Sequence, residues 1–399
     1  MYQTSFIKNC GVQLKAIITS QLDDMVSLAV ARSLGKKNID FAVASKYKRA
    51  LTFYSKYCKN TININRDLDF FLKLSKDDIL YPMNEELMCQ ISKNKKKINC
   101  SLAFSEYSTL EKVVNKSRLI LHAIEHDIPC PKTFFIKRSG DIENISNTLE
   151  FPAVLRPSTG SGGKGITFVH SLNELHAIKK EFIKDFGPYM IQEKIPFQNK
   201  YTVGVLCNAD SKVRRICAIK EIRNYPIDTG PACYVETVNY PELVNLSIKL
   251  MESLNYFGIA DIDFLIDERS GEPKLMEINP RFWGSLQVAI NAGVDFPSLL
   301  YELMINGDIK KSFDYKTGIR CRHVIIDDLL RLLSILKGHY SGSYKVATII
   351  DFLKIYPKDG YYIFSLDDLK PFKRHVLNKI LKNLNIENES QKKAIIPIF

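Results

Sequence analysis

The N-terminal part of the chain alternates short apolar segments with amphipathic ones, and this alternation constrains the fold more than any other feature. Residues 14–19 (LKAIIT) and 39–45 (IDFAVAS) are apolar runs typical of buried strands. Between them, residues 20–38 space their apolar side chains as a helix does, with Gly35 as a stop signal. Residues 77–92 (DDILYPMNEELMCQIS) indicate a third strand running into a helix. The pattern predicts an α/β fold that begins with a Rossmann-like, doubly wound parallel sheet.

The middle of the chain continues with helix-type and strand-type segments, without internal repeats. Helices are predicted at 109–126, at 241–255 and from Ser171, where Glu174 three residues later indicates a capping box. From about residue 310 the pattern becomes helical and basic. Strands are predicted on both sides of the turn in 151–169, at 188–195, 201–208 and 213–222, and as an antiparallel pair at 259–267 and 274–280.

A glycine-rich segment, GSGGKG at residues 160–165, matches the spacing of a dinucleotide-binding loop, but its flanks are strand-like rather than helical. It is not a Walker A motif, because Gly165 follows Lys164 where serine or threonine is required. We expect a mobile flap whose backbone N–H groups and Lys164 close over phosphates. An ordinary glycine-rich turn is equally compatible with the loop alone, and Arg156 just upstream favours the phosphate interpretation.

Two strand-like segments near residue 270 carry acidic side chains at alternate positions. Asp261 and Asp263 share one face of the first strand, and Glu277 and Asn279 share one face of the second. If the strands pair, Asp263 and Glu277 approach each other and offer hard oxygen ligands for Mg²⁺. Arg281 follows, and the chain's only tryptophan lies two residues beyond it. A hairpin with a solvated polar face is the alternative, which the crowded MEINPRFWG segment disfavours.

These motifs, in this order, resemble the ATP-grasp superfamily, especially its carbamoyl-phosphate-synthetase-like branch of carboxylate–amine ligases, from about residue 13 to residue 306. VVNKSRLILHAIEHDIPCPKTFFI is similar to the family's D-K…G-I-P-x-P-x-T signature, with Asn115 in place of the acidic residue. FPAVLRPSTGSGGKGITFV resembles the glycine-rich stretch, MIQEKI the adenine-binding hinge, and DIDF with MEINPR the metal motifs. The last of these motifs is the most specific.

The resemblance implies a role for each matching residue. Arg281 and Lys164 would act on the transferring phosphoryl group. Mg²⁺, with Mn²⁺ as a substitute, would be held by Asp263, Glu277 and Asn279. The ATP-binding residues would be Lys116, Arg156, Ser161, Gly162, Gly163, Gly165, Glu193, Lys194 and Ile195.

The resemblance also implies a domain organisation. A Rossmann-like pre-ATP-grasp domain would cover residues 1–100, and a two-lobed ATP-grasp domain of α+β type would cover 101–309. The lid subdomain of the second domain would span about 130–195. Residues 310–399, where the resemblance fades, are expected to form a mainly helical cap.

The reaction implied is activation of a carboxylate as an acyl phosphate by ATP, followed by attack of an amine, with release of ADP and phosphate. Two alternatives stay open: a kinase-like phosphotransferase that leaves phosphate on its substrate, and a non-catalytic nucleotide-binding module. The carboxylate and the amine are small molecules that the sequence does not identify.

Composition restricts the partners and the compartment. The net charge is +12, but the lysines are dispersed and no aromatic-rich basic stripe is present, so nucleic acid is not an expected partner. Nine cysteines without a C-x-x-C pair, and no signal-type N-terminus, predict a cytoplasmic protein. We expect no membrane binding, although a basic helix at 371–385 is a weak alternative. A homodimer is compatible with the sequence.

Four further positions are singled out on weaker grounds. Lys220 and Arg223 are candidate substrate- or triphosphate-binding residues, with a solvated edge strand as the equal alternative. Lys200 lies where the family usually places a glutamate for the ribose hydroxyls, so ribose recognition departs from the family pattern. We expect Lys200→Glu to leave activity intact or to lower the apparent KM for ATP. His122 and His126, four residues apart, are expected to be hydrogen-bonded histidines rather than metal ligands.

Overall fold

The computed structural model describes residues 14–64, 67–138, 140–160, 165–227, 230–354 and 359–383. The strands in these residues form three sheets of five, four and seven strands. None of the helices in these ranges is both long enough and apolar enough to cross a bilayer.

The N-terminal sheet is parallel throughout and has the order β3-β2-β1-β4-β5. Its predicted parallel topology is confirmed. Asp24 caps the first helix, accepting hydrogen bonds from the N–H groups of Val26 and Ser27. The elements are β1 (Lys15–Thr19), α1 (Met25–Lys36), β2 (Phe41–Ser45), β3 (Asn60–Asn63), α2 (Asp67–Phe71), β4 (Asp78–Tyr81), α3 (Glu85–Lys93) and β5 (Ser101–Leu102).

The single helix predicted at 109–126 is wrong, because the structure divides it into α4 (Tyr107–Val114) and α5 (Lys116–Glu125). Asn115 between them is extended, with φ −82° and ψ 103°, and its side chain accepts from the N–H of Arg118. An asparagine that caps a new helix in this way interrupts the preceding one. The break leaves the Lys116 N–H to donate to the Ser158 carbonyl at 2.8 Å.

The four-stranded sheet is antiparallel, with the order β6-β9-β7-β8. The two strands predicted on either side of the glycine-rich segment are confirmed, and they pair with each other as β7 and β8. Ser161 to Lys164 lie outside the described residues. The elements are β6 (Thr133–Ile136), α6 (Asp141–Ile145), β7 (Ala153–Pro157), β8 (Thr167–Val169), α7 (Leu172–Phe186) and β9 (Tyr189–Glu193).

The seven-stranded sheet has the order β14-β13-β10-β11-β12-β15-β16 and separates two hydrophobic cores. One face packs against β1, α1 and the helices after β14, and the other packs against α8. The elements are β10 (Lys200–Cys207), β11 (Val213–Asn224), β12 (Ala232–Thr237), α8 (Pro241–Ser253), β13 (Gly258–Ile266), β14 (Pro273–Asn279), α9 (Leu286–Asn291), α10 (Phe296–Asn306), β15 (Arg320–Arg322), α11 (Leu329–Lys337), α12 (Gly342–Leu353), β16 (Asp359–Tyr361) and α13 (Leu369–Asn383).

The chain after residue 310 is mainly helical, but it also extends the large sheet. β15 pairs antiparallel with β12, and β16 pairs parallel with β15. A short π-helix, Val324–Asp328, leads from β15 into α11. The C-terminal region therefore shares a sheet with the strands that carry the acidic motifs, which the sequence pattern did not predict.

Trp283 packs directly on the backbone of β10 at Gly204. The indole is 2% exposed, and a Cβ at position 204 would lie 2.3 Å from its ring. We therefore expect Gly204→Ala to destabilise the protein by about 1–3 kcal/mol through overpacking. Thermal unfolding measures this effect. Gly284→Ala is the matched control, because a Cβ there meets nothing within 4 Å. Equal melting temperatures for Gly204→Ala and wild type would contradict this packing.

Candidate active site

A cleft of about 240 Å³ lies between the large sheet and the N-terminal region. Three parts of the chain line it. Met25 and Glu85 come from the N-terminal region, the acidic residues come from β11, β13 and β14, and Asp327 and Tyr362 come from the C-terminal region. A site assembled in this way depends on how the three parts pack together.

The predicted pairing of the two acidic strands is confirmed, and it brings their polar side chains together. The antiparallel register of β13 and β14 sets Asp263 opposite Glu277 and Asp261 opposite Asn279. The Asn279 amide nitrogen lies 3.5 Å from an oxygen of Asp261 and 3.5 Å from an oxygen of Asp263. Three carboxylates and one carboxamide therefore form one group on the cleft side of the sheet.

The electrostatics of this group favour a bound cation. Burial, followed by repulsion from Asp261 and Glu277, raises the pKa of Asp263 well above its ordinary value. Burial likewise raises the pKa of Asp261, although the Thr202 hydroxyl donates a hydrogen bond to it. Packed carboxylates repel one another, and a divalent ion with oxygen ligands relieves that repulsion. The donor set of Asp263, Glu277 and Asn279 thus fits Mg²⁺.

Two cations lie against Glu277 from the side of the four-stranded sheet. The Lys116 Nζ atom is 3.4 Å and the Arg156 Nη2 atom is 3.2 Å from Glu277 Oε2. Burial alone would raise the pKa of Glu277, but Lys116 and Arg156 outweigh it and lower the pKa. Lys116 also donates to the Gly160 carbonyl at 2.7 Å. Positive charge therefore meets the acidic group at the start of the glycine-rich segment.

Arg281 lies next to the acidic group and is held there by the N-terminal region. Its Nε atom donates to Glu85 Oε1 at 3.0 Å, and its Nη2 atom lies 3.4 Å from Asn279 Oδ1. The Phe282 carbonyl accepts a third hydrogen bond at 3.1 Å. These contacts fix the guanidinium at the cleft, where it can meet a phosphoryl oxygen.

The predicted hinge residues are placed apart from the acidic group. Glu193, Lys194 and Ile195 do not line the cleft described above. The Glu193 carboxylate accepts from the Lys132 N–H at 2.9 Å and from Arg269 Nη2 at 2.8 Å. Gly165 follows the segment outside the described residues. The adenine and flap roles of these residues stay predictions.

Lys220 and Arg223 do not lie at the cleft. Arg223 is 5% exposed and forms ion pairs with Asp328 and Asp351, both at 3.2 Å. Lys220 precedes the cleft-lining Glu221 on β11, and successive side chains on a strand point to opposite faces. The strand is central rather than at an edge. We therefore assign Arg223 to the junction with the C-terminal region and do not propose substrate contacts for either residue.

His122 and His126 stack on each other with ring centroids 3.9 Å apart. With Glu125 they place ligand atoms within 4.8 Å of one another. The His122 Nε2 atom is 3.0 Å from the Ser253 hydroxyl, and the His126 Nδ1 atom is 2.9 Å from the His122 carbonyl. Burial lowers the pKa of His122 to about 4. These contacts fit the expectation of hydrogen-bonded histidines, but His122 is buried rather than at the surface.

Lys200 lies next to Glu221. The antiparallel register pairs Tyr201 with Lys220, which sets Lys200 opposite Glu221, and Lys200 opposes the rise in the pKa of Glu221 that burial causes. Lys200→Glu is still expected to preserve turnover, but the variant protein should be less stable. Two carboxylates on neighbouring strands repel each other by about 0.2–1 kcal/mol. We expect a lower melting temperature for Lys200→Glu and recovery in Lys200→Glu/Glu221→Gln. An unchanged melting temperature in the single variant would contradict the pairing.

Several cleft residues were missed by the sequence analysis. Asp261 was assigned to the correct face but not proposed as a site residue. Glu221 adjoins Lys220, but no local pattern shows which of the two faces the cleft. Glu85, Asp327 and Tyr362 lie on segments that reach the cleft only through packing of the N- and C-terminal regions. The sequence held no signal for those three.

Comparison with known proteins identifies similar chains. Residues 115–299 match the family model described as carbamoyl-phosphate synthase L chain, ATP binding domain. Acetyl-CoA carboxylase 1 of Arabidopsis thaliana is 29% identical over 137 residues, which are 33% of this chain and 6% of that protein. D-aspartate ligase of Enterococcus faecium is 28% identical over 196 residues, which are 45% of this chain and 46% of that protein. This chain thus spans less than half the length of either relative.

Among solved structures, the biotin carboxylase of Campylobacter jejuni superposes with a TM-score of 0.63 at 14% identity. The superposition covers 77% of this chain and 75% of that chain. N5-carboxyaminoimidazole synthetase from Staphylococcus aureus superposes with a TM-score of 0.62 at 13% identity, over 79% of this chain and 82% of that chain. At these identities the likeness concerns the fold.

Proposed function

We propose that residues 115–299, which match that family model, form an ATP-grasp domain and that the protein is an ATP-dependent ligase. It would activate a small-molecule carboxylate as an acyl phosphate and join it to an amine, releasing ADP and phosphate. The D-aspartate ligase among the similar proteins supports carboxylate–amine chemistry. We expect Mn²⁺ to substitute for Mg²⁺.

The arrangement of charged residues at the cleft supports this function. Asp263, Glu277, Lys116 and Arg281 line one cleft, and Arg156 contacts Glu277 there. Phosphoryl transfer is catalysed mainly by positioning and charge neutralisation, and this set supplies both. A cleft of this kind needs no protein nucleophile.

The residues in and around the cleft would have different roles. Lys116 and Arg156 would bind phosphate oxygens at the end near Gly160, and Asp263, Glu277 and Asn279 would hold Mg²⁺. When bound, the ion supplies charge that neutralises the phosphate oxygens. Arg281, held by Glu85, would stabilise the phosphoryl group in flight.

The proposed reaction has two steps. A carboxylate oxygen of the substrate attacks the γ-phosphorus of ATP, the bond to the β-phosphate oxygen breaks, and ADP leaves. The amine nitrogen then attacks the acyl carbon, phosphate leaves with the bonding electrons, and the amine loses a proton. Exclusion of water from the site would protect the acyl phosphate from hydrolysis.

Trapping with hydroxylamine tests the proposal while the natural amine is still unidentified, because hydroxylamine takes the place of the amine. The full-length protein is incubated with ATP, Mg²⁺, hydroxylamine and pools of carboxylates, and hydroxamates are detected by mass spectrometry. We expect a hydroxamate from at least one pool, with one ADP formed for each. A stable phosphorylated product without hydroxamate would instead identify a phosphotransferase. Absence of ATP consumption with every pool would indicate a nucleotide-binding module.

A further inference from the structure

The cleft is lined by residues of opposite charge from different parts of the chain. Lys116 and Gly160 line it together with the acidic residues of β13 and β14. Glu221, Asp327 and Tyr362 also line it, and we call these three residues the acidic end. Two of these three residues come from the C-terminal region, beyond the stretch that matches the family model.

Tyr362 is the residue of the acidic end that most directly indicates a bound ligand. It is 2% exposed and lines the cleft, and its hydroxyl has no hydrogen-bond partner among the described residues. Burial raises its pKa well above the ordinary value, and Glu221 and Asp327 add to that rise. All three side chains line the same cleft. A buried, unpaired phenol oxygen beside a cleft calls for a ligand group that completes its hydrogen bonds.

The two carboxylates are held in place by neighbours outside the cleft. The Asp327 Oδ2 atom is 2.7 Å from His323 Nδ1, and this contact helps to lower the pKa of Asp327 although burial would raise it. Lys200 stands beside Glu221 and opposes the rise in its pKa that burial causes. Asp327 therefore presents a negative charge to the cleft.

An ammonium group matches this end by charge and by hydrogen bonding. It has three donors and no acceptor, whereas two carboxylates and a phenol oxygen offer three acceptors. A phosphate or carboxylate group would be repelled here. Met25 and Trp283 line the same cleft and add apolar surface to it.

We infer that Glu221, Asp327 and Tyr362 bind the amine substrate of this protein in its ammonium form, from which one of the two carboxylates takes a proton before the neutral nitrogen attacks. The inference rests on the proposed ligase function and assigns the C-terminal region a role in choosing the amine.

A matched ligand panel tests this inference by binding rather than by turnover. Amino-acid amides, which carry an α-ammonium group, are each compared with the N-acetyl derivative, which lacks the charge. Saturation-transfer NMR on the full-length protein, with Mg²⁺ and the ATP analogue AMPPNP present, measures binding. We expect at least one amide to bind and its N-acetyl derivative to fail. Loss of a charge-assisted hydrogen bond in Asp327→Asn should weaken binding about tenfold or more.

Two further variants keep the test decisive. Tyr362→Phe retains the buried ring and should weaken amide binding about fivefold, even if Asp327→Asn does not fold. Asp210→Asn, on the exposed turn after β10, should leave binding unchanged. Three results would overturn this inference but not the proposed function. They are AMPPNP binding with no amide binding, equal binding of the N-acetyl derivatives, and undiminished binding in Asp327→Asn and Tyr362→Phe. Failure to bind AMPPNP overturns the proposed function and this inference with it.

Discussion

Glu277→Gln is expected to lower ATP turnover by at least about 100-fold, because it removes a charged oxygen from the proposed Mg²⁺ site. Loss of an outer partner of a metal ligand typically costs 10–100-fold, and a direct ligand should cost more. The fold should persist, since Arg156 still donates to Gln192 at 3.2 Å and to the Met276 carbonyl at 3.4 Å. ADP release and circular dichroism measure the two effects. Asn279→Ala should behave similarly.

Glu268→Gln is the matched control for this experiment. Glu268 is exposed on the turn of the same β13–β14 hairpin, away from the cleft. Its variant should retain wild-type turnover. Near-normal ADP release by Glu277→Gln would show that the acidic pair does not hold the metal.

Arg281→Ala is expected to lower kcat by about 1,000-fold or more with a small change in KM for ATP. A guanidinium that stabilises the transferring phosphoryl group contributes about 10³–10⁵ to kcat in phosphoryl-transfer enzymes. Such an interaction is made in the transition state, so its loss appears in kcat rather than in substrate binding. Steady-state kinetics of the ADP release assay separate the two parameters.

A second substitution, with a smaller expected effect on kcat, tests how Arg281 is positioned. Glu85→Gln removes the ion pair at 3.0 Å but leaves the guanidinium, so kcat should fall less than in Arg281→Ala. Arg118→Ala serves as the control, because Arg118 is largely exposed and pairs with Glu111 on the helix surface. A larger effect of Arg281→Ala on KM than on kcat would assign Arg281 to ground-state binding.

Much of the fold followed from local patterns. The parallel N-terminal sheet and the β13–β14 pair were predicted from apolar runs and alternation, and both are confirmed. The break at Asn115 was missed because the apolar spacing of 109–126 continues through it. Helical periodicity reports which side chains share a face, whereas a capping side chain ends a helix within one residue.

The sequence by itself determined which side chains share a strand face, and so grouped Asp261 with Asp263 and Glu277 with Asn279. The two-residue period of a strand is a local property of the backbone, which is why the grouping did not depend on the rest of the fold. It determined equally the strands on either side of the glycine-rich segment.

Only the tertiary structure decided what lies opposite those faces. Glu85 meets Arg281 across 196 residues of sequence, and Asp327 and Tyr362 reach the cleft because β15 and β16 extend the large sheet beyond β12. Sheet order and the docking of separate regions depend on packing summed over many residues. No local period carries that information, so the cleft's acidic end could be found only in the folded chain.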